Sequence, residues 1–398
     1  MVLPVAAVCF WWKYGTIDFR NKCPICFKHL AVPVVLFLGT VLILGVEQAA
    51  YRSKEWNTFL SYNSDRSAIM DYYGLANYED NAEFYDSLEL TPEEVENLQR
   101  YSLYLTDEVY AEKMHLLAVN ARETQLAPYS LGEQVRMAVK KVYDHFQDDT
   151  YMPIHEISFL LMAAVCILGF FKDKKQFALA LVLNVLMGLL WLYLGFRGRI
   201  VDRVGYSMYL VTCLSMFAVG YQILFVGEQG IKKKWPWAMV TVSVCVILAV
   251  LSGQKWNAVK GHSSWRSAYN REFLDVNTYM AEHPENVYFM TTFSIETYTD
   301  NFTIQRDFDF SNLLSVGGWH TFSPLENVKK EKLGITDPKR DIAETEDVYV
   351  ISLQNVNLRY MDRFYKSLYG ERFKGRILVD ALEIGDSIFE VYDFGAKE

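Results

Sequence analysis

Acidic and basic residues within residues 62–74 have the types and spacing for proton transfer or metal binding. The stretch reads Tyr-Asn-Ser-Asp-Arg, and it is followed by Asp-Tyr-Tyr-Gly from position 71. A carboxylate at Asp65 or Asp71 that faces the membrane has the chemistry of a general base or a metal ligand. A structural ion pair between Arg66 and Asp71 is the alternative, and both interpretations stay open at this point.

A second group of residues has the chemistry of anion recognition. Arg197, Arg199 and Arg203 lie in one short connection between two apolar segments. Three guanidinium groups there suit bidentate binding of a phosphate or pyrophosphate, whereas contact with lipid headgroups is the simpler alternative. His155 and Glu156 lie at the edge of another apolar segment, where an ionisable pair is a candidate substrate contact.

Metal and cofactor motifs are weak. Cys23 and Cys26 are spaced as half of a zinc knuckle, but a structural zinc site needs four ligands and the chain has no second such pair. Asp307 and Asp309 form an Asp-x-Asp pair that could hold a divalent cation, although an acidic chain contains such pairs by chance. No other cofactor is expected, because the chain has no phosphate-binding glycine loop, nucleophile elbow or zinc-protease motif.

Composition excludes several classes of protein. Hydrophobic residues make up 51% of the 398 residues and charged residues 22%, and the apolar residues occur in runs rather than periodically. This pattern excludes a single soluble domain, a disordered chain and a disulfide-rich secreted module. The net charge of −9 and the lack of a basic stripe also argue against a nucleic-acid partner.

The apolar runs predict an α-helical polytopic membrane protein with about five spans, over residues 30–46, 157–171, 177–196, 204–226 and 235–252. At the rise of an α-helix they reach roughly 23–35 Å, about one hydrocarbon core. Residues 1–12 form a further apolar piece that is too short to span. We interpret it as a truncated span, either because the chain is the C-terminal part of a larger polytopic protein or because its start is mis-assigned.

The distribution of Lys and Arg predicts the orientation of the spans. Basic clusters precede the first span and fill the second-to-third and fourth-to-fifth connections, so these should be cytoplasmic. Residues 50–154 and 254–398 would then be extracytoplasmic parts of a multi-pass protein of the cell membrane. Both are acidic: residues 51–150 carry a net charge of −10, and residues 255–398 carry −6.

The predicted domains follow from these spans: a short apolar piece and basic segment over 1–29, a first span over 30–49, an acidic helical domain over 50–154, a four-span bundle over 155–253, and an α/β domain over 254–398. Thr91 has the pattern of a helix start, and apolar residues of 131–146 share one helical face. The α/β domain should contain strands at 287–290, 347–353, 376–382 and 387–392, the last two forming a hairpin at Gly385-Asp386. Residues 291–340 look irregular, with Gly317-Gly318-Trp319-His320 as a binding loop or a packed turn.

This plan resembles the multi-spanning, GT-C-like envelope glycosyltransferases that take sugars from polyprenyl-phosphate carriers. The resemblance implies that Asp65 and Asp71 match the acidic residues of that family's first outer loop. It likewise matches Arg197, Arg199 and Arg203 to the basic residues that bind the lipid phosphate. The Tyr-Asn-x-x-Arg and Asp-Tyr-Tyr-Gly stretch is also similar to uncharacterised membrane proteins of the Gram-positive envelope. The family has many more spans, and its catalytic half would precede Met1.

Two functional hypotheses follow. In the first, the protein is an enzyme of surface-glycan assembly that acts on a polyprenyl-phosphate-linked sugar. An outer carboxylate would then be the base, and Arg66, His155, Glu156 and the arginine connection would bind the substrate. In the second, it is a non-enzymatic extracytoplasmic binding or scaffold protein that contacts a wall polymer or an envelope protein. Membrane lipid is a partner in both.

Overall fold

The computed structural model describes residues 23–106, 111–126, 128–148, 154–226, 271–294 and 311–396, together with isolated positions between 253 and 268. The described residues divide into two compact units. The apolar unit contains those within residues 1–51 and 129–259, and the polar unit contains those within residues 52–128 and 260–398. The sequence assigns residues 50–154 and 254–398 to separate domains, whereas most of these two blocks contribute to one compact unit in the structure.

The elements follow one another along the chain as helices, short turns and strands. The helices are α1 Cys23–Ala50, α2 Lys54–Ser67, α3 Ala82–Ser87, α4 Pro92–Gln99, α5 Ala111–Leu126, α6 Leu131–Phe146, α7 Ile154–Lys172, α8 Lys174–Phe196, α9 Asp202–Tyr221, α10 over 271–282, α11 Pro324–Lys332, α12 Pro338–Glu344 and α13 Arg359–Tyr369. The strands are β1 Val287–Met290, β2 Leu313–Ser315, β3 Val348–Leu353, β4 Ile377–Ile384 and β5 Ser387–Asp393.

Helices α7, α8 and α9 form the bundle of the apolar unit. Each is long and apolar enough to cross a membrane, counting the π-helical continuation of α9 to Phe225. Asp173 alone separates α7 from α8, and its carboxylate caps α8 by accepting hydrogen bonds from the backbone amides of Lys175 and Gln176 at 3.0 and 3.1 Å. So short a connection makes the two helices antiparallel neighbours.

Helix α6 packs along the last turns of α8. Gly195 on α8 permits the approach, because a Cβ atom added there would lie 2.5 Å from the Ala138 carbonyl oxygen on α6. Trp191 is buried in the same contact, against the apolar side chains of Val142 and Phe146. The part of the predicted apolar face that contains Ala138, Val142 and Phe146 therefore packs on the bundle.

The polar unit contains a five-stranded mixed sheet with the order β2-β1-β3-β5-β4. Strands β2, β1 and β3 are parallel neighbours, and β5 pairs antiparallel with both β3 and β4. Residues alternate between the two faces as the pleat requires: Val287 and Phe289 join one core, whereas Tyr288 and Met290 join the other. Helices α12 and α13 cover the first face and α10 covers the second, so this part is a three-layer α/β arrangement.

Helices α2 to α5 build a separate helical core in the same unit. Tyr62, Tyr85 and Met114 are among its fully or almost fully buried side chains. Thr91 caps α4 through the predicted capping box, in which Thr91 Oγ1 accepts from the Glu94 amide and Glu94 Oε2 accepts from the Thr91 amide. A capping box pairs two backbone amides that would otherwise lack partners at the helix start.

The 3₁₀ turn Leu103–Leu105 joins the helical core to the sheet. Leu103 is buried in the helical core, whereas Tyr104 and Leu105 are buried in the core beneath the sheet. The Tyr104 amide donates a hydrogen bond of 3.0 Å to the carbonyl oxygen of Val316, just after β2. The backbone at Gly317 is equally close, since a Cβ atom there would lie 1.7 Å from the Tyr101 carbonyl oxygen. Gly317 therefore belongs to a packed turn.

Several sequence predictions are confirmed and others are not. All four predicted strands are present, and Gly385, with φ of 58°, closes the predicted hairpin between β4 and β5. Residues 291–340 are more regular than expected, because they contain β2, α11 and part of α12. The count of five spans is not confirmed. The described apolar part of α1, Phe37–Ala50, is shorter than a span, and the fifth predicted span lies outside the described residues.

The approach of α6 to α8 yields a stability prediction. We expect Gly195→Ala to lower the unfolding free energy by about 1–3 kcal/mol, because the added methyl group overlaps the backbone of α6. Thermal unfolding of the purified protein in detergent measures this change. Gly188→Ala is the matched control on the same helix, since nothing lies within 4 Å of a Cβ atom there. Equal effects of the two substitutions would contradict the packing described here.

Candidate functional site

The residues singled out from the sequence lie in both units. Asp65, Arg66 and Asp71 belong to the polar unit, and the other five belong to the apolar unit. Asp65, on α2, places Oδ2 3.1 Å from Nδ1 of His115 on α5. Asp71 lies in the π-helical turn after α2, and its Oδ2 accepts a hydrogen bond of 2.7 Å from the Ser67 hydroxyl. Each carboxylate thus has a polar partner close to it on the helical part.

Arg66 is buried in the helical core, with 3% of its surface exposed. Its Nε donates a hydrogen bond of 2.9 Å to Asn63 Oδ1, but its Nη1 has no hydrogen-bond partner among the described residues. Burial lowers the pKa of the Arg66 guanidinium, and the nearby Asp71 carboxylate acts in the opposite direction. Arg66 is therefore a buried cation near Asp71, and its predicted role in substrate binding stays a prediction.

The five residues of the apolar unit come together at one end of the bundle. Helices α7 and α8 are antiparallel, and α9 returns after a five-residue connection, so His155, Glu156 and the residues 197–203 share that end. Arg197, Arg199 and Arg203 are all exposed there. The sequence predicts these residues as substrate contacts, and the structure gathers them into what we call the arginine end of the bundle.

Close packing supports the connection that carries these arginines. Gly198 adopts φ of 83°, a left-handed conformation that favours glycine and turns the chain from α8 toward α9. Lys141 on α6 donates a hydrogen bond of 3.0 Å from Nζ to the Gly198 carbonyl oxygen. Helix α6 therefore adds a fourth cation to the arginine end and holds the backbone of the connection in place.

Aromatic side chains lie directly beneath the arginine end. Tyr209 is buried between helices, with its ring centroid 5.1 Å from that of Trp191 and 6.1 Å from that of His155. His155 is 7% exposed, and its Nδ1 has no hydrogen-bond partner among the described residues. The side chain predicted as a substrate contact is thus mostly covered by its aromatic neighbours, whereas its partner Glu156 is half-buried.

Sequence reasoning missed His145, which completes this aromatic layer from α6. Its ring lies 4.8 Å from that of Trp191 and is stacked with that of Tyr209 at 6.0 Å. Burial lowers the pKa of the His145 imidazole, because the charged form is costly to desolvate. The signal available in the sequence was its position in the last turn of α6, three residues after the buried-face residue Val142.

Metal binding finds no support in the described part of the chain. Among these residues, no group of three or more His, Cys, Asp or Glu side chains is placed to hold a metal ion. Asp307 and Asp309 lie outside the described residues, as do the side chains of Cys23 and Cys26. The predicted divalent-cation pair and the half zinc knuckle therefore stay predictions from the sequence.

Comparison with known proteins adds nothing to this geometry. The chain matches no protein-family model, no curated protein and no solved structure. Function is consequently inferred from the chemistry of the residues that the fold brings together.

The buried tyrosines of the polar unit yield a second stability prediction. Tyr62 is 3% exposed and its hydroxyl has no hydrogen-bond partner among the described residues, whereas the hydroxyls of Tyr360 and Ser102 share a hydrogen bond of 2.9 Å. We expect Tyr62→Phe to leave the unfolding free energy unchanged or slightly higher, and Tyr360→Phe to lower it by about 1 kcal/mol. Thermal unfolding checks both; an equal loss in the two variants would show that Tyr62 has a partner after all.

Proposed function

We propose that the chain is an integral membrane protein of the cell envelope that recognises the phosphate of a lipid-linked sugar at the arginine end of its bundle. One observation supports this most: Arg197, Arg199 and Arg203 are exposed together in the connection between two membrane-length helices. Exposed guanidinium groups at the end of apolar helices would lie at the level of lipid headgroups. A phosphate that is attached to a hydrocarbon chain would contact the guanidinium groups through its phosphate and the apolar helices through its hydrocarbon chain.

The chemistry of the arginine end suits a phosphate better than a neutral headgroup. Guanidinium groups present paired donors that match two phosphate oxygens, and such charge-assisted bonds are stronger than neutral ones. Helix α9 begins at Asp202 inside the same connection, and the backbone amides of its first turn add partial positive charge. The exposed apolar side chains of α8 and α9, such as Leu189 and Phe217, offer a surface for a prenyl chain.

The side of the membrane follows from the distribution of charge along the sequence. The lysines at the α7–α8 turn lie at the end of the bundle opposite to the arginine end, and they indicate that this lysine-containing end faces the cytoplasm. In this proposal the arginine end and the acidic polar unit are therefore extracytoplasmic. Lipid-linked sugars that serve surface-glycan assembly would be presented on that side.

The proposal assigns recognition rather than sugar transfer to the protein. Asp65 and Asp71, the carboxylates expected to act as bases, each contact a polar neighbour on the helical part of the polar unit. The proposed function thus takes the lipid-linked ligand from the first hypothesis of the sequence analysis and the non-enzymatic binding role from the second.

Lipids retained by the purified protein test the proposal. Wild type and a variant in which Arg197, Arg199 and Arg203 are all replaced by Ala would be purified in mild detergent from a Gram-positive host and compared by mass spectrometry. We expect polyprenyl phosphate or a lipid-linked sugar on wild type, and at least about tenfold less on the variant, because charge-assisted hydrogen bonds contribute about 1.5–3 kcal/mol each.

A matched control uses the opposite end of the same bundle. Lys172, Lys174 and Lys175 also form a cluster of three cations beside membrane-length helices, and their triple replacement by Ala should leave the retained lipid unchanged. Equal loss in both triple variants would show a general effect of charge. Only bulk phospholipid on wild type and on both variants would contradict the proposal.

A further inference from the structure

The polar unit contains a cleft that none of the sequence-predicted site residues lines. Its volume is about 800 Å³, and its two walls come from distant parts of the chain. One wall is the start of α2, from Lys54 to Tyr62, with the residues around Tyr104. The other wall is residues 322–340, which include α11 and the start of α12. A cleft of this size holds a small ligand of one or two rings.

The cleft is positively charged in an otherwise acidic chain. Four cationic side chains line it, Lys54, Lys330, Lys339 and Arg340, against only two anionic ones, Glu55 and Asp337. The balance of +2 contrasts with the net charge of −9 for the whole chain. Arg340 forms an ion pair with Asp337 at 3.6 Å, and the Glu326 carboxylate acts on Lys330. Burial lowers the pKa of Lys330 and of Lys339, which indicates that both ammonium groups are partly withdrawn from water. Partly desolvated cations bind an anion more strongly than fully solvated ones.

Aromatic rings form the apolar part of the same wall. Phe322 packs edge-on against both Tyr62 and Tyr104, with ring centroids 5.4 and 5.1 Å apart. Lys330 places Nζ 4.9 Å from the centre of the Tyr104 ring, so a cation and a ring are presented together. Phe322 also has φ of 65°, which is unfavourable for a bulky side chain and is often found where a ligand site requires a particular geometry.

The hydroxyl of Tyr62 is a donor without a protein partner in the described part of the chain. The side chain lines the cleft although only 3% of it is exposed. Leaving a buried hydroxyl without a hydrogen bond costs about 1–3 kcal/mol, so such groups are uncommon unless water or a ligand completes them. Arg66, one helical turn along α2, adds positive charge close to this hydroxyl.

We propose that this cleft binds an anionic carbohydrate, a sugar that carries a phosphate or a carboxylate. Lys330 and Lys54 bind the acidic group, and the Tyr62 hydroxyl donates to a sugar oxygen. The partly exposed ring of Phe322, which packs on the buried rings of Tyr62 and Tyr104, forms the apolar wall against a sugar ring. The cleft combines an aromatic wall, cations and a buried hydrogen-bond donor, and these are the groups that bind such a ligand.

Other features of the cleft favour a sugar over a bare anion. Sugar hydroxyls donate as well as accept hydrogen bonds, and the cleft offers carboxylate and amide acceptors from Glu55, Asp337 and Asn327. A bare phosphate would leave both these acceptors and the aromatic wall unused. This site is independent of the arginine end of the bundle, whose proposed ligand is a lipid phosphate.

Isothermal titration calorimetry on the full-length protein in detergent tests the proposal. The probes are glucose 1-phosphate, galactose 1-phosphate and glucuronic acid, with glucose and inorganic phosphate as the uncharged and sugar-free comparisons. We expect at least one charged sugar to bind more tightly than both comparisons. Absence of binding by all three charged sugars at millimolar concentration would overturn the proposal, and so would equal affinity for inorganic phosphate.

Matched variants locate the binding in the cleft. Lys330→Gln should weaken binding by about tenfold, the loss expected for one charge-assisted hydrogen bond. Lys332→Gln, an exposed change on the same helix, should have no effect. Tyr62→Phe should weaken binding without lowering thermal stability. Unchanged affinity in both Lys330→Gln and Tyr62→Phe would overturn the proposal.

The outcome is separable from that of the proposed lipid function. Replacing Arg197, Arg199 and Arg203 with Ala should leave the calorimetric affinity for the charged sugar unchanged. Loss of sugar binding in that variant would show that the sugar binds at the arginine end, and the cleft would then have no ligand of its own.

Discussion

The polar unit depends on one close approach of backbone, between Gly317 and the carbonyl oxygen of Tyr101. Any side chain at position 317 would overlap that oxygen, so only glycine lets the end of β2 lie against the 3₁₀ turn that follows α4. The hydrogen bond from Tyr104 to Val316 then fixes the register of the two segments. Tyr104 lies in the 3₁₀ turn and lines one wall of the cleft, and Phe322 lies five residues after Gly317 and lines the other. The close approach therefore helps to bring the two walls together.

The apolar unit shows the same dependence on a small residue at a crossing point. Gly195 brings α6 against α8, and this contact places Lys141 beside the arginine connection and His145 against Trp191 and Tyr209. Charged groups are thereby concentrated at the end of three helices whose sides are largely apolar. We therefore propose two separate anion-binding sites, one for a lipid-attached phosphate in the apolar unit and one for a small charged sugar in the polar unit.

Local patterns in the sequence predicted the parts of the structure that depend on neighbours along the chain. The capping box at Thr91, the hairpin at Gly385 and the four strands of the α/β part are of this kind, since each depends on a few consecutive residues. The short strand β2 escaped prediction because three residues carry little periodicity. The cleft was not predicted because residues 54–62 and 322–340 are far apart in the chain, and no local pattern shows that they line one cavity.

Hydrogen exchange measured by mass spectrometry on wild type and Gly317→Ala tests most directly the claim that helices α2 to α5 and the sheet form one unit. We expect the amides of residues 92–105, 287–290 and 313–316 to lose protection together in the variant. The apolar helices α7 and α8 should keep theirs. Loss of protection confined to the turn around residues 317–320 would contradict it, because the helical part and the sheet would then be stable without their contact.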